Sequence, residues 1–177
     1  SGLISFGEDG SNQFGYGFAY YATGWRFFIK TQSNSVSQWT SLPYASAPSG
    51  QWTHLAASYD GTKLTLYKNG SVADEKVVSG QIAWVANSGS LYIGSFNKAG
   101  TDYFFNGNID EVRLWNTVRT GLQIKGNKGI TLEGNESGLV SYWKADESTG
   151  TVLNDLTSNQ INGNLNGSSF ATLNSPI

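Results

Sequence analysis

His54 is the chain's single histidine, set in "QWTHLAASYDGTKLTLYKNG" between a tryptophan and a short apolar run. It is the only imidazole available for acid–base work. In a strand starting at Trp52, alternation puts Trp52, His54 and Ala56 on one face and Thr53, Leu55 and Ala57 on the other. Both faces are apolar, which predicts a central strand covered on both sides. A catalytic histidine needs a carboxylate or nucleophile partner and access to substrate. The nearest hydroxyls, Thr53 and Ser58, are out of line for this, so His54 reads as a packed strand residue. Carboxylates come next. Asp110 and Glu111 in "NIDEV" are adjacent, and on a strand they face opposite sides. Glycosidic cleavage uses two carboxylates about 5 to 10 Å apart across one bond. Asn108 and Val112, the same-face neighbours of Asp110, carry no acid, so no catalytic residue is assigned. One histidine and no cysteine argue against zinc.

Hard oxygen donors suit calcium better, which takes six to eight oxygens from carboxylates, amides and loop carbonyls. Asp9 and Asn12 in "EDGSN", Asp102 in "KAGTDY", and Asp110, Asp146, Glu147 and Asp155 are the candidates. The same residue types also cap turns by bonding their own backbone. Aromatics are the remaining resource, since exposed rings stack on the apolar faces of sugars. Tyr16, Tyr20, Tyr21, Trp25, Trp39, Tyr44, Trp84 and Tyr103 lie outside the obvious core, and two or three of them are expected to be accessible. Trp39 in "SQWTSLP" and Tyr103 beside Asp102 lead. With Asn97 and Asn12 they outline a shallow ligand site built from loops around 9–12 and 96–103.

The elements that would position these residues read as strands. Period-two alternation dominates, as in "GWRFFIKTQ" and "TKLTLYKNG", where Leu64 and Leu66 alternate with Lys63, Thr65 and Tyr67 in a half-buried pattern. Further strands are expected in "LISFG", "GYGFAYYA", "SQWTSLP", "WTHLAASY", "SVADEKVV", "SLYIGSF", "NIDEVRLWN" and "GLVSYWKA". Asp60-Gly61, Asn69-Gly70 and Asp9-Gly10 supply hairpin turns. Only "TVRTGLQIKGN" looks helical, and Gly121 keeps it short. Strands about ten residues apart with turns between them predict an all-β sandwich.

Composition agrees. Charged residues make up 14% of the 177, against about 25% in typical domains, and Gly, Asn, Ser and Thr replace them. That balance is common in secreted β-proteins. A net charge of −2 offers nucleic acid no basic face. There is no cysteine for a disulfide framework and no apolar run long enough to span a membrane.

The order "W-T-H-L-A-x-x-Y-D-G", "L-T-L-Y-K-N-G", "L-Y-I-G", "F-N-G-N-I-D-E-V-R-L-W-N" over residues 50 to about 119 resembles the laminin G-like, concanavalin A-like family in its bacterial, pentraxin-related form. Residues 3–49 resemble it more weakly. The resemblance implies an antiparallel two-sheet jelly-roll β-sandwich, and glycan or protein binding in secreted or cell-surface proteins, often with calcium. It makes Asp110 the leading calcium ligand, joined by Asp9. Hydrolases of this architecture resemble E-x-D-x-x-E, and its lyases Q-(I/V)-H with Y-x-K-x-G-x-Y. Neither pattern occurs here. The family's first strands, of the types "F-D-G-x-D-x-Y-V" and "E-x-W-(V/I)-K", are absent too, and the chain starts as if midway. Residues 133–167 resemble the lead-in that precedes such a domain in tandem arrays. The expected organisation is a sandwich over 1–132, with strands in 133–177 that either complete it or begin a following repeat. A neighbouring domain or chain completing the sheets is a further expected partner. The expected function is non-catalytic carbohydrate binding. A structural or adhesive repeat is the second reading, and a polysaccharide hydrolase or lyase the third.

Overall fold

The computed structural model describes residues 1–6, 15–21, 24–33, 36–45, 50–83, 90–98 and 101–171, with backbone alone at 21, 33, 36–45, 97–98 and 101. The chain divides into two compact units, Ser1–Gly107 and Asn108–Ile177. The first holds β1 (Gly2–Phe6), β2 (Tyr16–Tyr21), β3 (Gly24–Ser33), β4 (Val36–Ala45), β5 (Leu55–Tyr59), β6 (Lys63–Lys68), β7 (Ser71–Val77), β8 (Gln81–Ile82), β9 (Leu91–Ile93), β10 (Ser95–Lys98) and β11 (Thr101–Phe104). The second holds β12 (Val112–Trp115), α1 (Gly121–Asn127), β13 (Leu139–Trp143), β14 (Val152–Leu153) and β15 (Gly163–Asn164).

Unit 1 is an all-β antiparallel sandwich. One sheet runs β4-β3-β2-β1-β9, with β8 also on β3, and the other runs β5-β6-β7. The β2–β3 register sets Tyr16 opposite Ile29, Phe18 opposite Phe27 and Tyr20 opposite Trp25. One face of the large sheet is therefore a continuous apolar stripe, as period two requires. Phe18, Phe27 and Ile29 from that stripe pack with Leu64, Leu66 and Val78 to form the core. Tyr16 joins its margin, and burial pushes its phenol up to about 12.

The small sheet reverses one expectation. The segment "TKLTLYKNG" reads as half-buried, yet Leu64, Thr65, Leu66 and Tyr67 are all buried, because β6 lies between β5 and β7. The strand expected to be central, β5, is instead at the edge of this sheet and half-buried throughout. His54 precedes it. Its main chain is clasped by the β6–β7 turn: the His54 amide donates to Asn69 Oδ1 at 3.0 Å, and the Asn69 amide donates to the His54 carbonyl at 2.8 Å. Asn69 (φ 50°) and Gly70 (φ 80°) both take the left-handed conformation that a two-residue hairpin requires.

Unit 2 is built around two carboxylates. β12 pairs with β13, Val112 opposite Trp143. That ladder lies within unit 2, which begins at Asn108. Asp110 and Glu111 do not lie on the strand as expected. They precede β12, and Glu111 sits at φ 56°, which turns its side chain inward. There it accepts from the Tyr142 hydroxyl at 2.8 and 2.7 Å and pairs with Arg113. Arg113 also donates to the carbonyls of Asn127 (2.7 Å) and Ile130, and its guanidinium lies 5.2 Å from the Tyr142 ring centroid. Burial first, then the Glu111 bond and charge, raise the Tyr142 pKa. The second hub is Asp155, buried, which accepts from the amides of Tyr142 (3.0 Å), Thr157 (2.9 Å) and Ile161 (3.1 Å). Helix α1 lies inside the segment expected to be helical, and starts at a Thr120/Gln123 capping box.

Candidate functional site

The segment expected to be a loop, 96–103, is largely a hairpin. β10 and β11 pair with Ser95 opposite Phe104, Phe96 opposite Tyr103, Asn97 opposite Asp102 and Lys98 opposite Thr101. Its base is fastened to the large sheet. The Gly94 amide donates to the Leu3 carbonyl and the Phe105 amide to the Gly94 carbonyl, both at 2.8 Å. The Ser5 hydroxyl donates to the Ser95 carbonyl at 3.0 Å. Phe96 is the anchor: 3% exposed, it packs edge-on against Phe28 at 5.1 Å and clusters with Ala19. Gly2 makes this approach possible, since a Cβ there would stand 2.2 Å from the Phe96 Cβ.

Pleating then sorts the remaining residues. Side chains directly opposite share a face, and neighbours along a strand alternate. Tyr103 shares the Phe96 side, while Phe104 falls on the Asp102 side, as does position 97. Tyr103 is 45% exposed and Phe104 68%. Asp102 is also exposed, as is Tyr92 on neighbouring β9. Below them Phe105 packs on Trp25 at 5.7 Å, and Trp25 on Tyr20 at 5.5 Å in a T-shaped contact. The hairpin thus presents two rings and a carboxylate from a base held by main-chain bonds and buried rings. An exposed ring of this kind stacks on C–H groups, and the carboxylate accepts from hydroxyls.

Three of the five expected ligand residues, Asn97, Asp102 and Tyr103, therefore come together on one hairpin. Trp39 pairs with Lys30 in the backbone of the large sheet, and its side chain lies outside the described residues. Asn12 and Asp9 lie outside them too. Of the eight aromatics, Tyr20 and Tyr103 are exposed and Trp25 is buried. Phe104 lies outside the expected platform residues, which are all Trp or Tyr. The signal available was the pair of adjacent rings that follows Tyr103 in "NKAGTDYFF". Trp52, 41% exposed, escaped as well, because it was assigned to a covered strand.

Asp110, the expected calcium ligand, lies just before β12. Its Oδ1 accepts from the Glu111 amide at 2.9 Å, the capping role such residues take in turns. Among the described residues no group of three or more histidine or carboxylate side chains could hold a metal ion. Glu111 is held by a guanidinium and a phenol inside unit 2. No helix among the described residues is long and apolar enough to cross a membrane.

Residues 1–125 match the family described as "Concanavalin A-like lectin/glucanases superfamily", of the laminin G type. Pappalysin-1 of Mus musculus is 28% identical over 102 residues, and pappalysin-1 of Homo sapiens 29% over 112. Each match covers 56% of this chain and 6% of the relative, so the chain corresponds to a small part of those proteins. Among solved structures, a "putative carbohydrate binding protein from Bacteroides ovatus ATCC 8483" superposes with a TM-score of 0.66 at 24% identity. It covers 98% of this chain and 54% of that one, and at that identity the likeness speaks for the fold.

Proposed function

Because the chain belongs to the concanavalin A-like lectin/glucanases superfamily, we propose that it is a non-catalytic carbohydrate-binding module of a secreted or cell-surface protein, gripping a glycan at the β10–β11 hairpin. The observation that carries this reading is the exposed Phe104 ring beside the exposed Asp102 on one face of a hairpin anchored by buried Phe96, with exposed Tyr103 on the other face. Contiguous exposed apolar surface marks interaction sites and ligand-binding grooves. A rigid base also spares the ligand the entropy of ordering the platform. Likeness in fold to the Bacteroides ovatus carbohydrate binding protein supports the same class of ligand. The absence of catalysis is supported by the position of Glu111, whose oxygens are committed to Tyr142 and Arg113. A shallow face with one ring and one carboxylate implies affinities of roughly micromolar to millimolar.

Titration calorimetry against a panel of pyranose oligosaccharides tests the reading. Phe104→Ala and Tyr103→Ala are each expected to weaken binding about five- to ten-fold. Asp102→Asn is expected to weaken it less while leaving the fold intact. Binding that is unchanged in both ring variants places the ligand elsewhere. Absence of binding to any glycan removes the proposal. Repeating the titration in chelator reads the calcium dependence that the family resemblance implies.

A second reading, a structural or adhesive repeat, is favoured by one feature. The lead-in-like segment contributes β13, which pairs with β12 of the preceding motif, as consecutive repeats of a longer protein would if they shared strands. Sedimentation of the chain alone checks it: a concentration-dependent dimer supports strand sharing, and a monomer at all concentrations opposes it.

A further inference from the structure

Asparagine followed by glycine is chemically labile, because glycine has no side chain to keep its nitrogen away from the asparagine amide. The chain has such pairs at 69–70, 106–107, 162–163 and 166–167. The fold treats them unequally. Asn69 is held at both ends by His54: its Oδ1 accepts the His54 amide and its own amide donates to the His54 carbonyl. Asn162 is held likewise, its Oδ1 accepting the Asp155 amide at 2.9 Å and its amide donating to the Gln160 carbonyl at 2.9 Å. Asn106 and Asn166 are exposed, with no hydrogen bond from either side chain to a described residue.

We propose that Asn106-Gly107, at the last residues of unit 1, is a site of spontaneous deamidation. The Gly107 nitrogen attacks Asn106 Cγ and the new C–N bond closes a five-membered imide. The Cγ–Nδ2 bond breaks, and ammonia departs carrying the Gly107 amide proton. Water then opens the ring at either carbonyl, leaving aspartate or, with one extra main-chain carbon, isoaspartate. No oxidant or reductant is needed. The site is not easily removed from the glycine side, because a Cβ at Gly107 would stand 2.6 Å from the Phe105 ring. It also lies beside functionally placed chain: Phe105 donates to Gly94 at the base of the hairpin. The extra carbon of isoaspartate would lengthen the backbone there.

The experiment is incubation of the intact chain in mildly alkaline buffer, followed by peptide mass mapping and detection of isoaspartate. Asn106, and with it Asn166, is expected to convert at least about ten-fold faster than Asn69 and Asn162, each of which must first break two hydrogen bonds. In denaturant the four pairs are expected to converge on one rate. Asn106→Gln should abolish conversion at 106 and leave that at 166 unchanged. A rate at Asn106 no faster than at Asn69, or an ordering that survives denaturation, overturns the proposal.

Discussion

Arg113→Ala is expected to destabilise unit 2 by about 3–5 kcal/mol, the cost of leaving one partner of a buried ion pair uncompensated. The side chains of Arg113 and Glu111 are 10% and 11% exposed, so water cannot replace what the substitution removes. Glu111 would keep only the Tyr142 hydroxyl, and the carbonyls of Asn127 and Ile130 would lose their donor. Arg113→Lys is expected to recover only part of the loss, since an ammonium cannot span Glu111 and both carbonyls while stacking on Tyr142. Tyr142→Phe removes the hydroxyl but keeps the ring, and should cost about 1–2 kcal/mol. Denaturant unfolding followed by amide exchange in residues 108–171 measures the series. Equal stability of Arg113→Ala and the parent chain would show that the network contributes nothing.

Asp155 carries the second large effect, and it depends on pH. Burial alone would raise its pKa, but the amides of Tyr142, Thr157 and Ile161 outweigh burial and hold it below the ordinary 3.8. A carboxyl whose folded value is depressed contributes stability that is complete above its unfolded value and lost as pH falls through the folded one. Unit 2 should therefore hold its Asp155-dependent stability at neutral pH and lose it below roughly pH 4. Asp155→Ala, which strands the three amides, is expected to cost about 3–5 kcal/mol at neutral pH and to flatten the acid dependence. Asp155→Asn keeps one accepting oxygen and should fall between them. Amide exchange at Tyr142, Thr157 and Ile161 as a function of pH checks both claims. Protection that is unchanged down to the pH where the whole chain unfolds would contradict them.

The strands of unit 1 were legible wherever the alternation was long. "GWRFFIKTQ" announces β3 because ten residues give period two room to show, and Asn69-Gly70 announces the turn because both residues tolerate positive φ. Which strand lies in the middle of a sheet was not legible. Apolarity on both faces of "WTHLAASY" suggested a centre, but order in a sheet is decided by partners elsewhere in the chain. β6, with its alternating lysine and threonine, took that place. Four-residue strands such as β10 and β11 are too short to show a period, so their hairpin was expected as a loop. The ladder sets 97 opposite 102 and 96 opposite 103, so Asn97, Asp102 and Tyr103 share that hairpin. Glu111 was misread for a local reason. Adjacent acids on a strand must diverge, but a backbone at φ 56° is no strand, and nothing within "NIDEV" signals that the partner is Tyr142, 31 residues away.

The central claim is that the β10–β11 hairpin is where this laminin G-type sandwich meets a glycan. Chemical-shift mapping of the isotope-labelled chain with neutral pyranose oligosaccharides tests it most directly. The expected result is saturable shifts concentrated at Tyr92, Asn97, Asp102, Tyr103 and Phe104, with transfer of magnetisation from sugar C–H groups to the Phe104 ring. Shifts confined to the β5-β6-β7 sheet or to unit 2, with the hairpin silent, would contradict it.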